Sequence, residues 1–183
     1  AKSEAEQSLA DMERSVMKEI EAQSVRVALF EALKQLIVAG NVLLYFPDEG
    51  PMRVIRLDRY VVKRDPMGHV RKIVIKENVA PAVLPPEVAA IAATCMCQHE
   101  DTVELYTCCE VLVDNKVRVF QEIGGIIIPD SVSTYPLERN PFLALRMHRV
   151  DGEDYGRSYV EQYYGDLVSL ETSDTVLEHQ PYS

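Results

Sequence analysis

Over the first forty positions, apolar residues recur at three- and four-residue steps: Leu9, Met12, Val16 and Ile20, then Val25, Leu29, Leu33, Leu36 and Ile37. Glu, Lys, Arg and Gln fill the gaps, so the spacing predicts a helical segment over 1–40, one long helix or two in series. Gly40-Asn41 supplies its stop, because both residues tolerate the left-handed conformation that closes a helix. The period then changes to two. "VLLYF", "MRVIRL", "YVVKRD", "HVRKIVI", "TVELYTCCEVLV", "KVRVFQEI" and "FLALRMHRV" read as strands, and Asp65-Pro66-Met67-Gly68 and Asp114-Asn115 read as hairpin turns. One short helix, near 85–93, interrupts them: "LPPEVAAIAATC" has proline where a helix starts and alanine behind it. Residues 41–150 are therefore expected to be an antiparallel β-rich region, with 124–141 wandering as a loop. The last periodic stretch, 151–171, reads as a helix. Tyr159, Tyr163 and Leu167 form one row on it, and Val160, Tyr164 and Val168 the next.

Such a stripe says only that something covers it, either this chain's own sheet or another subunit. Tyr155, Arg157, Tyr159, Tyr163 and Tyr164 are the candidate subunit-interface residues, since tyrosine combines a large apolar face with a polar tip. The fold class expected is α+β, with long helices packed beside a small twisted antiparallel sheet or barrel.

With 183 residues, 47% hydrophobic and 26% charged, the chain has enough apolar material for a core without disulfide or metal staples. Nineteen basic against 29 acidic residues give a net charge of −10, which disfavours plain binding to a phosphate backbone. No apolar run reaches the roughly 20 residues of a membrane span, and no basic-then-apolar leader opens the chain, so the reading is soluble and not exported. Ala1 in place of methionine, with the helical pattern already running, reads as a start inside a longer polypeptide.

Cys95, Cys97, His99, Cys108 and Cys109 fall close together, and a zinc module built on Cys95, Cys97, His99 and Cys108 is one reading of them. The spacings speak against it: one residue between Cys95 and Cys97 is too few for a zinc knuckle, and consecutive Cys108 and Cys109 point to opposite faces of a strand. Four reduced, buried, unmetallated thiols are expected instead. His69, His99, His148 and His179 sit in no nucleophile motif, the glycines make no phosphate loop, and Glu153/Asp154 read as a solvated helix start. No catalytic, cofactor or metal residues are assigned.

Two stretches carry a family resemblance. "EALKQLIVAGNVLLYFP" runs into "MRVIRLDRYVVKRDPMGHV", and "RMHRVDGEDYGRSYVEQYYGDLVSLE" comes later. Both resemble the portal, or head-to-tail connector, proteins of short-tailed double-stranded DNA bacteriophages. The pattern Ala-Leu-Lys-Gln-Leu-Ile-x-x-Gly-Asn lies at Ala32 to Asn41 and Tyr-Val-Val-x-Arg-Asp-x-x-Gly at Tyr60 to Gly68. Arg-x-Asp-Gly-Glu-x-Tyr-Gly-Arg-Ser-Tyr lies at Arg149 to Tyr159, and Gly-Asp-Leu-x-Ser-Leu-Glu at Gly165 to Glu171. The stretch holding the cysteines departs from the pattern. So does the tail at 172–183, where the family's helical pattern continues.

The resemblance implies a structural subunit, not an enzyme, corresponding to the wing region of a ring through which DNA is packaged and ejected. It implies as partners other portal subunits, capsid and scaffold proteins, the packaging motor and tail proteins, with double-stranded DNA passing without sequence-specific binding. A virion location, with assembly in the bacterial host cytoplasm, goes with it. The helix over 151–171 would lead towards a channel wall, its stripe covered by sheet on one side and by a neighbour on the other. The alternative is a free-standing cytosolic oligomerisation or adaptor domain without a viral role.

Overall fold

The computed structural model describes residues 2–22, 25–95 and 101–170. Two helices open the chain, α1 (Lys2–Ala22) and α2 (Val25–Ala39), so the first segment is two helices in series. As expected, α2 ends at Ala39: Gly40 has φ +71° and its amide donates to the Leu36 carbonyl at 3.0 Å, closing the last turn.

Behind the stop, β1 (Asn41–Tyr45) lies between β2 (Arg53–Ile55) and β9 (Phe142–Arg146) in a three-stranded antiparallel sheet. In sequence "NVLLY" lacks alternation, and the reason is that β1 is buried on both sides. Val42 and Leu44 pack with Met52 beneath Ala32 of α2. Leu43 faces the other way, into the main core.

That core is shared with a six-stranded antiparallel sheet. Its path runs β3 (Tyr60–Arg64), β4 (Val70–Val79), β5 (Val103–Val111), β6 (Lys116–Ile123) and β7 (Ile126–Ile127), with β8 (Ser133–Pro136) also on β6. Tyr60, Val62, Ile73, Ile75, Cys109 and Val117 meet Leu43, Ile55 and Phe142 of the small sheet. Helix α3 (Pro86–Cys95) covers the far end of the large sheet, with Ala92 against Val103, Leu105, Ile123 and Ile128. The architecture is α+β: two antiparallel sheets share one core, and helices pack on the outer face of the small sheet and on the end of the large one. Both expected hairpin turns are present, Asp65 to Gly68 between β3 and β4 and Asp114-Asn115 between β5 and β6.

Two expectations need correction. The 124–141 stretch is not all loop: Ile126–Ile127 and Ser133–Pro136 both pair with β6. Short edge strands borrow their order from the strand they join, so a proline at the end of β8 is tolerated there. Residues 151–158 are not helix either. The helix α4 starts at Tyr159 and runs to Gln162; a turn at Tyr163 follows, and residues 164–170 are again helical.

Candidate subunit-contact surface

The non-helical segment before α4 is a strap, and its hydrogen bonds explain its residues. β3 is an edge strand of the large sheet, so the outward N–H groups of alternate residues lack a neighbouring strand. The Val62 amide donates to the Tyr155 hydroxyl at 3.1 Å and the Arg64 amide to Asp154 Oδ1 at 2.7 Å. Lys63 Nζ adds an ion pair to Asp154 Oδ2 at 3.0 Å. The backbone bond from Arg64, first, and the Lys63 ammonium hold the Asp154 carboxyl below its usual pKa. Asp154 is therefore an edge cap for β3, not the solvated helix-start acid its position suggests.

The other end of the strap is clamped to the helix stop. Asn41 is 3% exposed, and its amide spans 115 positions of chain. Asn41 Nδ2 donates to the Gly156 carbonyl at 2.8 Å and to the Ala39 carbonyl at 3.1 Å, while Oδ1 accepts from the Gly156 amide at 2.7 Å. Space is as restrictive as bonding. A Cβ on Gly40 would lie 2.6 Å from the Arg157 carbonyl carbon and from the Ser158 nitrogen. One on Gly156 would lie 2.8 Å from Arg146 Cβ and 2.9 Å from the His148 carbonyl oxygen. Only glycine allows either approach. The backbones of His148 and Arg157 then exchange a pair of bonds, at 3.1 and 2.9 Å.

Ser158 launches α4. It is buried, and its Oγ accepts from the Glu161 amide at 2.9 Å, the serine half of a Ser-x-x-Glu capping pattern that periodicity alone passes over. Arg157 donates to Glu153 at 2.8 Å and to Glu161 at 2.6 Å, the Glu161 bond being the larger cause of its raised pKa. The ring of His148 meets that of Tyr159 edge-on at 4.8 Å, and Tyr159 stacks on Tyr163 at 6.0 Å.

What the strap aims is an apolar helical surface that the described residues leave uncovered. Tyr159 is 38% exposed, Tyr163 47% and Tyr164 66%, and Val160, Leu167, Val168 and Leu170 are exposed with them. The expected cover from this chain's own sheet is not there. Helix α4 packs on α2, and α2 itself exposes Val27, Leu29, Phe30, Leu33, Ile37 and Val38, while α1 exposes Leu9, Met12, Val16 and Met17. Single exposed apolar residues are ordinary; a run of them along adjoining helices is an extended apolar surface and a candidate contact. Of the candidate interface residues, Tyr159, Tyr163 and Tyr164 lie on this surface. Tyr155 is half-buried with its hydroxyl on β3, and Arg157 is tied to Glu153 and Glu161, so both serve the strap.

Cys108 and Cys109 are free thiols, both buried, and burial pushes the Cys109 thiol up to about 12. Cys97 and His99, as well as the tail after Leu170, lie outside the described residues. Among the described residues no group of His, Cys, Asp and Glu is placed to hold a metal ion, and no helix is long and apolar enough to cross a membrane.

The structure defines a class of protein: an α+β core whose buried hydrogen bonds set the direction of an exposed apolar helical face. The chain belongs to the bacteriophage head to tail connecting protein family, whose model matches residues 1–177. It is 43% identical to the portal protein of Escherichia phage T7 over 174 residues, covering 91% of this chain and 32% of that protein. The portal protein of Enterobacteria phage T3 is likewise 43% identical, with the same coverage. That of Enterobacteria phage SP6 is 32% identical, covering 88% of this chain and 32% of its own length. The chain thus spans about a third of the length of the relatives it matches.

Proposed function

We propose that this chain is the wing region of a portal subunit, a structural part of the ring through which double-stranded DNA is packaged and ejected. The uncovered face of α4 and residues 164–170, continuous with that of α2, is the observation that carries the assignment beyond family membership. In this reading residues 1–40 are a helical segment, 41–150 the β-rich wing, and 151–171 lead towards a channel region, with 172–183 a divergent tail. Tyr159, Tyr163, Tyr164 and Leu167 meet a neighbouring subunit; the capsid, scaffold, motor and tail proteins and the passing DNA are partners of the complete ring. The setting is the virion, assembled in the host cytoplasm. A free-standing adaptor domain has no support from the relatives, all of them portal proteins.

A chimera tests this. Residues 1–170 replace the matching third of the Escherichia phage T7 portal protein, and the product is imaged by electron microscopy. Rings are expected, and Leu167→Glu, a change on an exposed position, should abolish them without changing the circular dichroism spectrum. A chimera that folds but never closes, or rings indifferent to Leu167→Glu, would refute the assignment of the contact face.

A further inference from the structure

Three arginines converge on one turn. Arg64, in the middle, donates from Nε to the Asp154 carbonyl, from Nη1 to the Gly68 carbonyl and from Nη2 to the Ala144 carbonyl, at 2.9, 3.1 and 3.1 Å. Arg149 Nη2 donates to the Met67 carbonyl at 2.6 Å, and Arg146 Nη1 to the Glu153 carbonyl at 2.9 Å. A Cβ placed on Gly68 would lie 2.7 Å from Arg149 Nη2 and 3.1 Å from Arg146 Nη2, so both guanidiniums lie over the turn.

All these acceptors are neutral backbone carbonyls. The nearby carboxylates are engaged elsewhere: Asp154 with the Arg64 amide and Lys63, Asp65 with His69, and Glu153 with Arg157. Among the described residues no carboxylate makes an ion pair with Arg64, Arg146 or Arg149. Three like charges thus share one site in which only the Asp154 carboxylate, already held by Lys63 and the Arg64 amide, offsets Arg64 at a distance, and Arg146 and Arg149 keep most of their five N–H donors for another acceptor. A guanidinium fork fits the two oxygens of one acid group.

We propose that Arg146 and Arg149, gathered over the Met67-Gly68 turn with Arg64 behind them, form an oxyanion seat that takes a carboxylate side chain from a second copy of this chain. Charge complementarity and position argue for that occupant. A chain with 29 acidic residues against 19 basic brings carboxylates to any contact with its own kind. The seat also borders the proposed contact surface: Arg149 follows His148, whose ring packs on Tyr159. The choice of occupant rests on the subunit reading; the seat itself does not.

Two measurements on the 183-residue chain separate these. Inorganic phosphate, titrated at constant ionic strength, should shift the Gly68 amide and the Arg149 Nε–H resonances saturably. Arg149→Gln, which loses one bond to a backbone carbonyl at an exposed position, should abolish saturation with the remaining amide pattern intact. No saturable response in the parent chain overturns the seat. Sedimentation velocity up to millimolar protein should then show weak self-association that Arg149→Gln and added phosphate each weaken about tenfold, with Arg149→Lys retaining part of it. Association indifferent to both, or a chain monomeric throughout, overturns the second copy as occupant. Duplex DNA bound in an Arg149-dependent way would overturn it in favour of a nucleic-acid phosphate. Leu167→Glu serves as the control for the subunit reading. It should weaken association and leave the phosphate response unchanged, and association that survives it removes that reading without touching the seat.

Discussion

Asn41→Ala removes one small side chain and disconnects two regions 115 positions apart. Three hydrogen bonds go, at 2.7, 2.8 and 3.1 Å, and two of them leave the amide and carbonyl of the buried Gly156 without partners. A typical intramolecular bond contributes about 1 kcal/mol net, but a buried group left unsatisfied costs about 1–3 kcal/mol. Allowing for water reaching one of the two orphans, the expected loss is about 2–4 kcal/mol. That is a large fraction of the 5–15 kcal/mol of an ordinary domain. Urea unfolding is the assay: with a slope of about 2 kcal/mol per molar, the middle of the usual range, the midpoint should fall by roughly 1–2 M at unchanged slope. Amide exchange gives the local signature. The amides of Val62 and Arg64, which donate to Tyr155 and Asp154 of the strap, should lose more protection than the central amides of β5. A loss below about 0.5 kcal/mol, or unaltered protection at Val62 and Arg64, would refute the clamp, since surface substitutions without such a role stay within that range.

Asp154 makes stability pH-dependent with a definite sign. Its folded carboxyl titrates below the ordinary 3.8, so its contribution is complete above that value and disappears as pH falls through the lower folded value; Asp154→Asn should flatten this part of a stability profile taken from pH 5 to pH 2.5. Cys108 and Cys109 should resist a thiol reagent at pH 8 in the native chain and react on unfolding, because both are buried and the Cys109 thiol is pushed up to about 12; fast labelling of either without denaturant would contradict the core packing.

What the sequence disclosed and what it hid divide by range. Gly40-Asn41 reads as a helix stop from local chemistry alone, and α2 ends there. That Asn41 also holds Gly156 is invisible, because no periodicity connects residues 115 apart. The hydrophobic stripe of 159–168 was legible by spacing, and its exposure was not, since amphipathicity asks for cover without saying from where. Tyr155 shows the limit of spacing. It stands four residues before Tyr159 and looks like the first rung of a row, yet it precedes the N-cap, and its hydroxyl serves an edge strand. The sequence did hold a signal against that extension: Ser158 and Glu161 spell a capping pattern, which starts the helix at Tyr159. Residues 124–141 misled for a different reason. Their proline and serine content matches loops, and the two short strands there pair only with β6.

The strap also explains how so exposed a helix keeps its direction. Four residues of α4 cannot hold a helix by themselves, because nucleation is unfavourable and short isolated helices are marginal in water. Tertiary burial helps at the first turn, where α2 and the His148 ring leave Tyr159 38% and Val160 37% exposed, and fades beyond it, with Tyr164 66% and Leu170 65% exposed. Order must therefore come from the N-terminal side. Ser158 caps the first turn, Arg157 ties Glu153 to Glu161 across it, and His148 supports Tyr159 from beneath. The anchors behind these are Gly40, Asn41 and the edge of β3, all on the rigid two-sheet core. Orientation is thus fixed largely by polar bonds at the root, and the apolar face beyond Tyr163 stays exposed. For the proposed subunit contact this division has a consequence: with direction set beforehand, closing the contact would order few additional residues and would lose less to conformational entropy than a floppy helix.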